Sequence, residues 1–430
     1  MSQINLTNEP QFAAVVGIDW GDKKHAWSLQ PVGSDQRERG EIEHTPEAVE
    51  SWACMLSARF HGQPIAVALE QSRGALVFML AKYAHLHLYP IHPRAAAQFR
   101  AALYPSGAKD DPVDGDILLE LVLHHRAHLR PLQPDTEQTR LVQHLVEARR
   151  RLVNEKTRQV QRLTDKLKLY FPQMLSWFEK VDSPLVGALL LRWPTLEDLQ
   201  KARPATLRSF LTQHNCRSQE LIDERLKQIP HAIPAIRDVA VIQSAAGMTQ
   251  ILVELIATLR QGIDKLEKQI GQAARAHPDF PIFDSFPGAG PALAPRLLAA
   301  FGSLRDRYAA ASDVQKFSGI APVMERSGKT EWVHFRRACP KFLRQTFHEW
   351  AGHSIAFCEW ARLYYEQKKR GGKDHNAAVR SLAFKWIRIA FRCWQDRVPY
   401  DDARYVASLH RHGSPLAAAL AVKKSDLTKI

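Results

Sequence analysis

The segment Lys109-Asp-Asp-Pro-Val-Asp-Gly-Asp116 places two carboxylates, Asp111 and Asp114, three residues apart, just ahead of the apolar run Ile117 to Leu123. Pro112 suits the first turn of a helix, and an acidic first turn complements the helix dipole. A spacing of three puts both acids on one face. Carboxylates pointing the same way repel, and a cation between them relieves the repulsion; an acidic helix end facing water is the plain alternative. Two further acids fall at the ends of apolar runs. Asp19 closes the run that starts at Phe12, and Glu70 closes Ile65 to Leu69. In an open parallel sheet, the carboxyl ends of the strands are where ligands bind. On neighbouring strands Asp19, Glu70, Asp111 and Asp114 would converge. Four carboxylates together require divalent cations, and oxygen-only ligands select Mg2+ or Mn2+ over zinc. Two such ions about 3.5–4 Å apart clamp a scissile phosphate. Asp22, Asp110 and Asp116 are spare acids that could be confused with the set.

Ser327 is a candidate nucleophile. It sits between Arg326 and the Gly328-Lys329 pair, where positive charge would favour an alkoxide and a pentavalent transition state at phosphorus. Ser-Gly is also a common loop pair, and composition alone favours that reading. In Phe286-Pro-Gly-Ala-Gly-Pro-Ala-Leu-Ala294, a turn of helix–hairpin–helix type, Gly288 and Gly290 would bare backbone N–H groups at a helix start. A phosphate binds there without regard to sequence; a tight structural turn is the alternative. Further on, Lys373 leads into a helix on which Ser381, Lys385, Arg388 and Arg392 share one stripe, with Leu382, Trp386 and Ile389 opposite. With the basic pair Arg336-Arg337, these are candidate contacts to a nucleic-acid backbone, against the alternative of a solvated cationic face. His124 and His128 are four apart, but no Glu follows His124. They lack the metalloprotease pattern and read as helix-surface histidines.

The elements that position these groups follow from hydrophobic periodicity. Phe12 to Trp20, His25 to Pro31, Gly40 to His44, Ile65 to Leu69 and Leu86 to Ile91 read as strands; Ala48 to Phe60 and Leu76 to Tyr83 read as helices. That alternation indicates an α/β sheet with central parallel strands. From Glu137 to Tyr170 there is neither Pro nor Gly. Leu141, Leu145, Ala148 and Leu152, and later Leu252, Leu255, Leu259, Ile263, Leu266 and Ile270, keep near-heptad spacings. Two such helices predict an antiparallel coiled-coil arm, or a plain helical bundle, with a small helical insertion over 171–243. The region after Phe283 is helical with one hairpin at Val323 to Phe335, and the Ala-, Lys- and Ser-rich tail after Gly413 reads as disordered.

Composition bounds the function. The chain has 430 residues, 45% hydrophobic and 24% charged, with net charge +14 and pI near 9.6. That excess suits a polyanionic partner. Five scattered cysteines form no C-x-x-C pair, which argues against a disulfide framework or a Cys-rich zinc site. Met1 to Pro10 is polar and no apolar run suggests a membrane span, so the expected location is cytoplasmic, with association to the nucleoid.

These residues resemble the DEDD transposases of the IS-one-ten and IS-eleven-eleven insertion-sequence family, the RNA-guided bridge recombinases. Val16-Gly-Ile-Asp19 and Ala68-Leu-Glu70 look like the first two acidic motifs. Lys109-x-Asp111-x-x-Asp114 looks like the third, with Gly115 in place of the usual Ala. Phe286-Pro-Gly-Ala-Gly290, Gly319-Ile-Ala-Pro322 and Ser327-Gly328 look like the C-terminal motif with its serine, and Ala338 stands where Gly is usual. The resemblance implies a RuvC/RNase H-like catalytic domain over 1–132, a coiled-coil arm with helical insertion over 133–276, and a mainly α-helical transposase domain over 277–412, followed by a tail over 413–430. It also implies Mg2+ (or Mn2+) on the four carboxylates, Ser327 as nucleophile, donor and target DNA, a noncoding guide RNA and a homo-oligomer (dimer or tetramer). A RuvC-like junction nuclease using water and a non-catalytic nucleic-acid scaffold remain the alternatives.

Overall fold

A computed structural model describes residues 10–103 and 111–427, the side chains at 111–113 and 422–427 excepted. The chain forms two compact units that divide between Pro134 and Asp135.

The first unit runs β1 (Ala14–Asp19), β2 (Lys24–Pro31), β3 (Glu38–Glu43), α1 (Pro46–Arg59), β4 (Ile65–Leu69), α2 (Ala75–Leu80), β5 (Leu86–Pro90), α3 (Pro93–Leu103) and α4 (Asp111–His125). The sheet order is β3-β2-β1-β4-β5. β1 pairs antiparallel with β2 and parallel with β4, which pairs parallel with β5. This mixed α/β sheet is consistent with an RNase H-like domain. Strand alternation sorts the two faces. Val16, Ile18, Ile65, Val67 and Leu69 pack with Val49, Trp52 and Leu56 of α1 and Leu76 and Leu80 of α2. Val15, Ala66 and Ala68 pack with Ala96 of α3 and Ile117, Leu118 and Val122 of α4. Small residues dominate that second face, and they let α4 approach the sheet closely.

The second unit is helical. Two long helices, α5 (Glu137–Tyr170) and α11 (Val239–Arg275), enclose α6 (Gln173–Trp177), α7 (Pro184–Arg192), α8 (Leu196–Gln200), α9 (Pro204–Gln213) and α10 (Gln219–Gln228) in sequence. Thr136 and Asp238 cap the starts of the long pair by accepting backbone N–H groups of the first turn. Thr139 meets His277, Arg149 meets Glu267, and a Cβ on Gly262 would touch Leu152, so α5 and α11 run antiparallel. The buried seam differs from the leucine stripes that spacing suggests. Val142, Val146, Leu163 and Leu167 face inward on α5, and Leu252, Val253, Ile256, Ile263 and Ile270 on α11. Leu141 and Leu255 are exposed. The five short helices close a separate core around Phe171, Trp193 and Phe210. By length and composition α11 could cross a membrane; here its inward face is filled by protein.

The remainder is α12 (Phe280–Asp284), α13 (Gly290–Phe301), α14 (Ala311–Phe317), the hairpin β6 (Val323–Ser327) and β7 (Thr330–His334), α15 (Lys341–Phe357), α16 (Glu359–Arg370), α17 (His375–Asp396), α18 (Asp402–Arg411) and α19 (Pro415–Leu427). Its core holds Trp350, Trp360, Trp386 and Trp394. The segment expected to be a disordered tail is α19, which buries Leu416, Ala417 and Leu420 in that core. An alanine-rich helix with three well-spaced apolar residues needs little else to dock. All five cysteines are free.

Candidate functional site

In β1 and β4, Ile18 stands beside Leu69 in a parallel register. The next residues along are Asp19 and Glu70, so the two acids leave the sheet side by side at its carboxyl edge. The pleat carries Asp19 to the face of Val15 and Gly17, and continues Ala66 and Ala68 toward Glu70. This is the face α4 covers.

α4 sits low on that face. A Cβ added to Gly17 would lie 2.0 Å from the Gly115 carbonyl oxygen and 2.5 Å from the Leu119 nitrogen. The contact lowers the first turn of α4 toward β1 and buries Asp114, which is 4% exposed. Arg100 of α3 forms an ion pair with Asp114. Arg100 was not among the expected site residues; the Ala-rich stretch after Pro93 carries a helix signal, but not the crossing that brings Arg100 to Asp114. Asp116, a spare acid by sequence, is committed elsewhere: Arg39 donates to it at 2.6 Å. Burial alone would raise its pKa, but hydrogen bonds from Arg39 and Ser28 outweigh that and hold it below the usual carboxylate range.

Asp111 opens α4, and its side chain lies outside the described residues. Among the described residues, no three His, Cys, Asp or Glu side chains converge closely enough to hold an ion. Asp19, Glu70 and Asp114 therefore share an edge and a face without forming a closed cage.

The loop after Asp19 is anchored by a histidine pair. The Gly21 N–H donates to Nδ1 of buried His25 at 3.3 Å, so Nε2 carries the proton and donates to Nδ1 of His44 at 2.8 Å. Burial, then the neighbouring His44, push the His25 pKa down to about 4.

In the second unit, Ser327 ends β6 at the tip of the hairpin, opposite Thr330. Gly328, at φ +57°, makes the two-residue turn. Ser327, Arg326 and Lys329 are all exposed. Arg326 pairs across the strands with Glu331 at 3.0 Å.

Two family profiles match the chain. A profile for DEDD transposases of IS110, described as "Transposase", covers residues 16–172, and one described as "Transposase IS116/IS110/IS902 family" covers residues 281–366. The chain belongs to the IS110 family of transposases. The Mini-circle putative transposase for IS117 of Streptomyces coelicolor is 28% identical over 416 residues, 93% of this chain and 98% of the relative. The Insertion element IS110 uncharacterized 43.6 kDa protein of the same organism is 25% identical over 90% of this chain and 95% of its own. The Insertion element IS900 uncharacterized 42 kDa protein of Mycobacterium paratuberculosis is 26% identical over 80% and 85%. A transposase is an enzyme that cuts and rejoins DNA.

The basic residues of this transposase divide by environment. Arg337, Lys373, Arg388 and Arg392 are exposed, although Arg392 pairs with Asp396 and Lys373 donates to Ser381. Arg336 donates to the carbonyls of Ala321 and Pro322 and so staples the hairpin base. Lys385 leaves the expected stripe: its ammonium lies 5.2 Å from the Tyr364 ring centre and within 6.0 Å of those of Trp360 and Tyr405. Burial lowers its pKa, and Arg388 and Lys368 add to the effect. Gly288, at φ +73°, packs against α15, where a Cβ would meet the Ser354 nitrogen at 2.7 Å. Gly290 starts α13 with open space around it.

Proposed function

We propose that this transposase cuts and rejoins DNA through a covalent phosphoserine, with Ser327 as nucleophile and Asp19, Glu70, Asp111 and Asp114 as ligands for Mg2+ or Mn2+. The observation that carries the reading is the register that brings Asp19 and Glu70 out side by side beneath the helix bearing Asp114. The donor set is all oxygen, which suits a hard divalent ion. Asp114 is nearly buried and already faces a cation, Arg100, so positive charge is what this position demands. Mg2+ bound there would stabilise negative charge on the scissile phosphate.

Ser327 Oγ attacks phosphorus, a P–O bond to serine forms, and a P–O bond to deoxyribose breaks. The serine proton leaves to solvent or a neighbouring base, and the departing oxygen takes up a proton. Exchange of one phosphodiester for another conserves bond energy, so a hydroxyl of a second strand can reverse the step without ATP. The exposed tip of the hairpin presents the serine to a strand, while Arg326 and Lys329 add positive charge beside it. Serine and carboxylates lie on different units, so the reaction requires both.

The same reading includes a homo-oligomer built through the α5–α11 arm, a noncoding RNA as guide, and action at the nucleoid. The exposed apolar residues Met248, Ile251 and Leu255 on α11 support the first; the net charge of +14 suits DNA and RNA alike. The test is end-labelled DNA incubated with protein and Mg2+, together with any RNA that copurifies, and run on a denaturing gel. Label should migrate with the wild-type chain and not with Ser327→Ala. Free cut ends from Ser327→Ala would establish water as nucleophile and overturn the serine step.

A further inference from the structure

At the foot of the hairpin, one aromatic ring carries two guanidiniums. Arg344 of α15 lies 4.7 Å and Arg380 of α17 lies 4.6 Å from the centre of the Phe335 ring. Even laid end to end those distances keep the two charges within 9.3 Å (4.7 plus 4.6), close enough for both to act on one bound anion. Among the described residues neither meets a carboxylate. The acid lining the same groove, Glu349, accepts from Arg296 at 2.5 Å. Arg344 instead donates to the Arg336 carbonyl at 3.1 Å, and that bond holds it against the hairpin base. The ring, the two arginines, Gln345, His348 and Asn376 line a cleft of about 350 Å³, within the range that holds a nucleotide-sized ligand.

Two cations held together on one ring with no acid between them make a site for an anion. Gln345 already donates to Glu349 at 2.6 Å, so the two guanidiniums are the groups that would hold the anion. We infer that Phe335, Arg344 and Arg380 form a clamp for a backbone phosphate of the DNA strand that Ser327 attacks. From Thr330, opposite the serine, to Phe335 is five residues, roughly 17 Å of extended chain. At roughly 3.4 Å per nucleotide of duplex, the clamp holds a phosphate about five nucleotides from the scissile one. The hairpin is thereby a spacer between a grip on the strand and the reactive hydroxyl. The inference rests on the reading of the chain as a transposase acting through Ser327.

The test uses the full-length chain and a fluorescent DNA duplex, with affinity measured by anisotropy across a series of salt concentrations. Arg344→Gln with Arg380→Gln should lower the magnitude of the log–log salt slope by about one, for the single phosphate the clamp holds. Arg344→Lys with Arg380→Lys should keep the slope and show that the groove is still folded. Arg217→Gln with Arg237→Gln, exposed charges on the small helical cluster, should leave it unchanged. An unchanged slope in the first pair, or an equal fall in the last, overturns the clamp. A slope that falls only on a matched RNA duplex overturns the assignment to DNA. A wild-type chain that binds with the full slope yet forms no serine adduct sinks the serine chemistry and leaves the phosphate clamp standing.

Discussion

Gly17 and Gly115 touch backbone to backbone, and no side chain fits between them on the Gly17 side. β1 and α4 meet at this point, and the contact sets how deep the Asp114 turn lies. Gly17→Ala forces its methyl to within 2.0 Å of the Gly115 oxygen, so strand and helix have to separate. The loss should be at least the roughly 1–3 kcal/mol typical of overpacking, read as a lower urea midpoint. Gly115→Ala meets the Ser28 hydroxyl at 3.3 Å, with the Gly17 oxygen and the Ser28 nitrogen at an ordinary 3.5 Å, and should change stability by less than about 1 kcal/mol. Equal effects of the two changes would mean that the contact does not set the helix position.

Arg100 and Asp114 give the carboxylate site a readout apart from activity. Arg100→Gln leaves a nearly buried carboxylate without its cation, and breaking such a pair costs about 3–5 kcal/mol. Mg2+ should recover part of that loss, so its effect on melting temperature should be larger in Arg100→Gln than in the wild type. Asp19→Asn should remove the Mg2+ effect and lower DNA cleavage by orders of magnitude, with DNA affinity nearly unchanged. Identical Mg2+ shifts in all three proteins would exclude these carboxylates as the site.

Leu255 and Ile256 are neighbours with opposite exposures, 45% and 4%. Ile256→Asp buries an unpaired carboxylate in the seam, costs several kcal/mol and should unfold the helix pair. Leu255→Asp should leave the melting temperature nearly unchanged and dissociate the proposed oligomer, as light scattering would record. Spacing alone would assign Leu255 to the seam. The run Ile251-Leu-Val-Glu-Leu-Ile256 is apolar at five of six positions, so two overlapping stripes satisfy the same period. Which one turns inward depends on shape against α5, a property that periodicity does not contain.

Elsewhere the relation between sequence and structure was closer. The apolar runs ending in Asp19 and Glu70 are fully buried strands, and such runs have few other fates. The hairpin carrying Ser327 was legible from its Ser-Gly turn. Asp114 was legible as an acid on a helix face, but its partner Arg100 was not, because the pair depends on how α3 crosses α4. Lys385 looked like part of a cationic stripe, yet the rings that surround it come from α16 and α18, more than 15 residues away along the chain.

His25 makes the first unit acid-sensitive. Its pKa is about 4 in the folded chain and about 6.5 unfolded. Between those values the unfolded chain binds a proton that the folded chain refuses. Stability is therefore untouched above pH 6.5, falls by up to about 1.4 kcal/mol per unit as pH drops toward 4, and levels off below. The total is about 3 kcal/mol. His25→Gln should flatten this part of the urea-midpoint profile between pH 7 and pH 4; an unaltered slope would show that another group carries the transition.

The antiparallel pairing of α5 with α11 has a consequence for how such a chain can change length. The 34 residues of α5 span about 50 Å, and its foot is pinned where Thr139 meets His277. A deletion in α5 alone would slide every later pairing out of register against α11. Shortening the arm therefore takes two matched deletions, of equal size and of whole turns, at sites about a hundred residues apart in the gene product. Viable length variants of this chain should carry their insertions and deletions in such pairs, or confine them to the five short helices between.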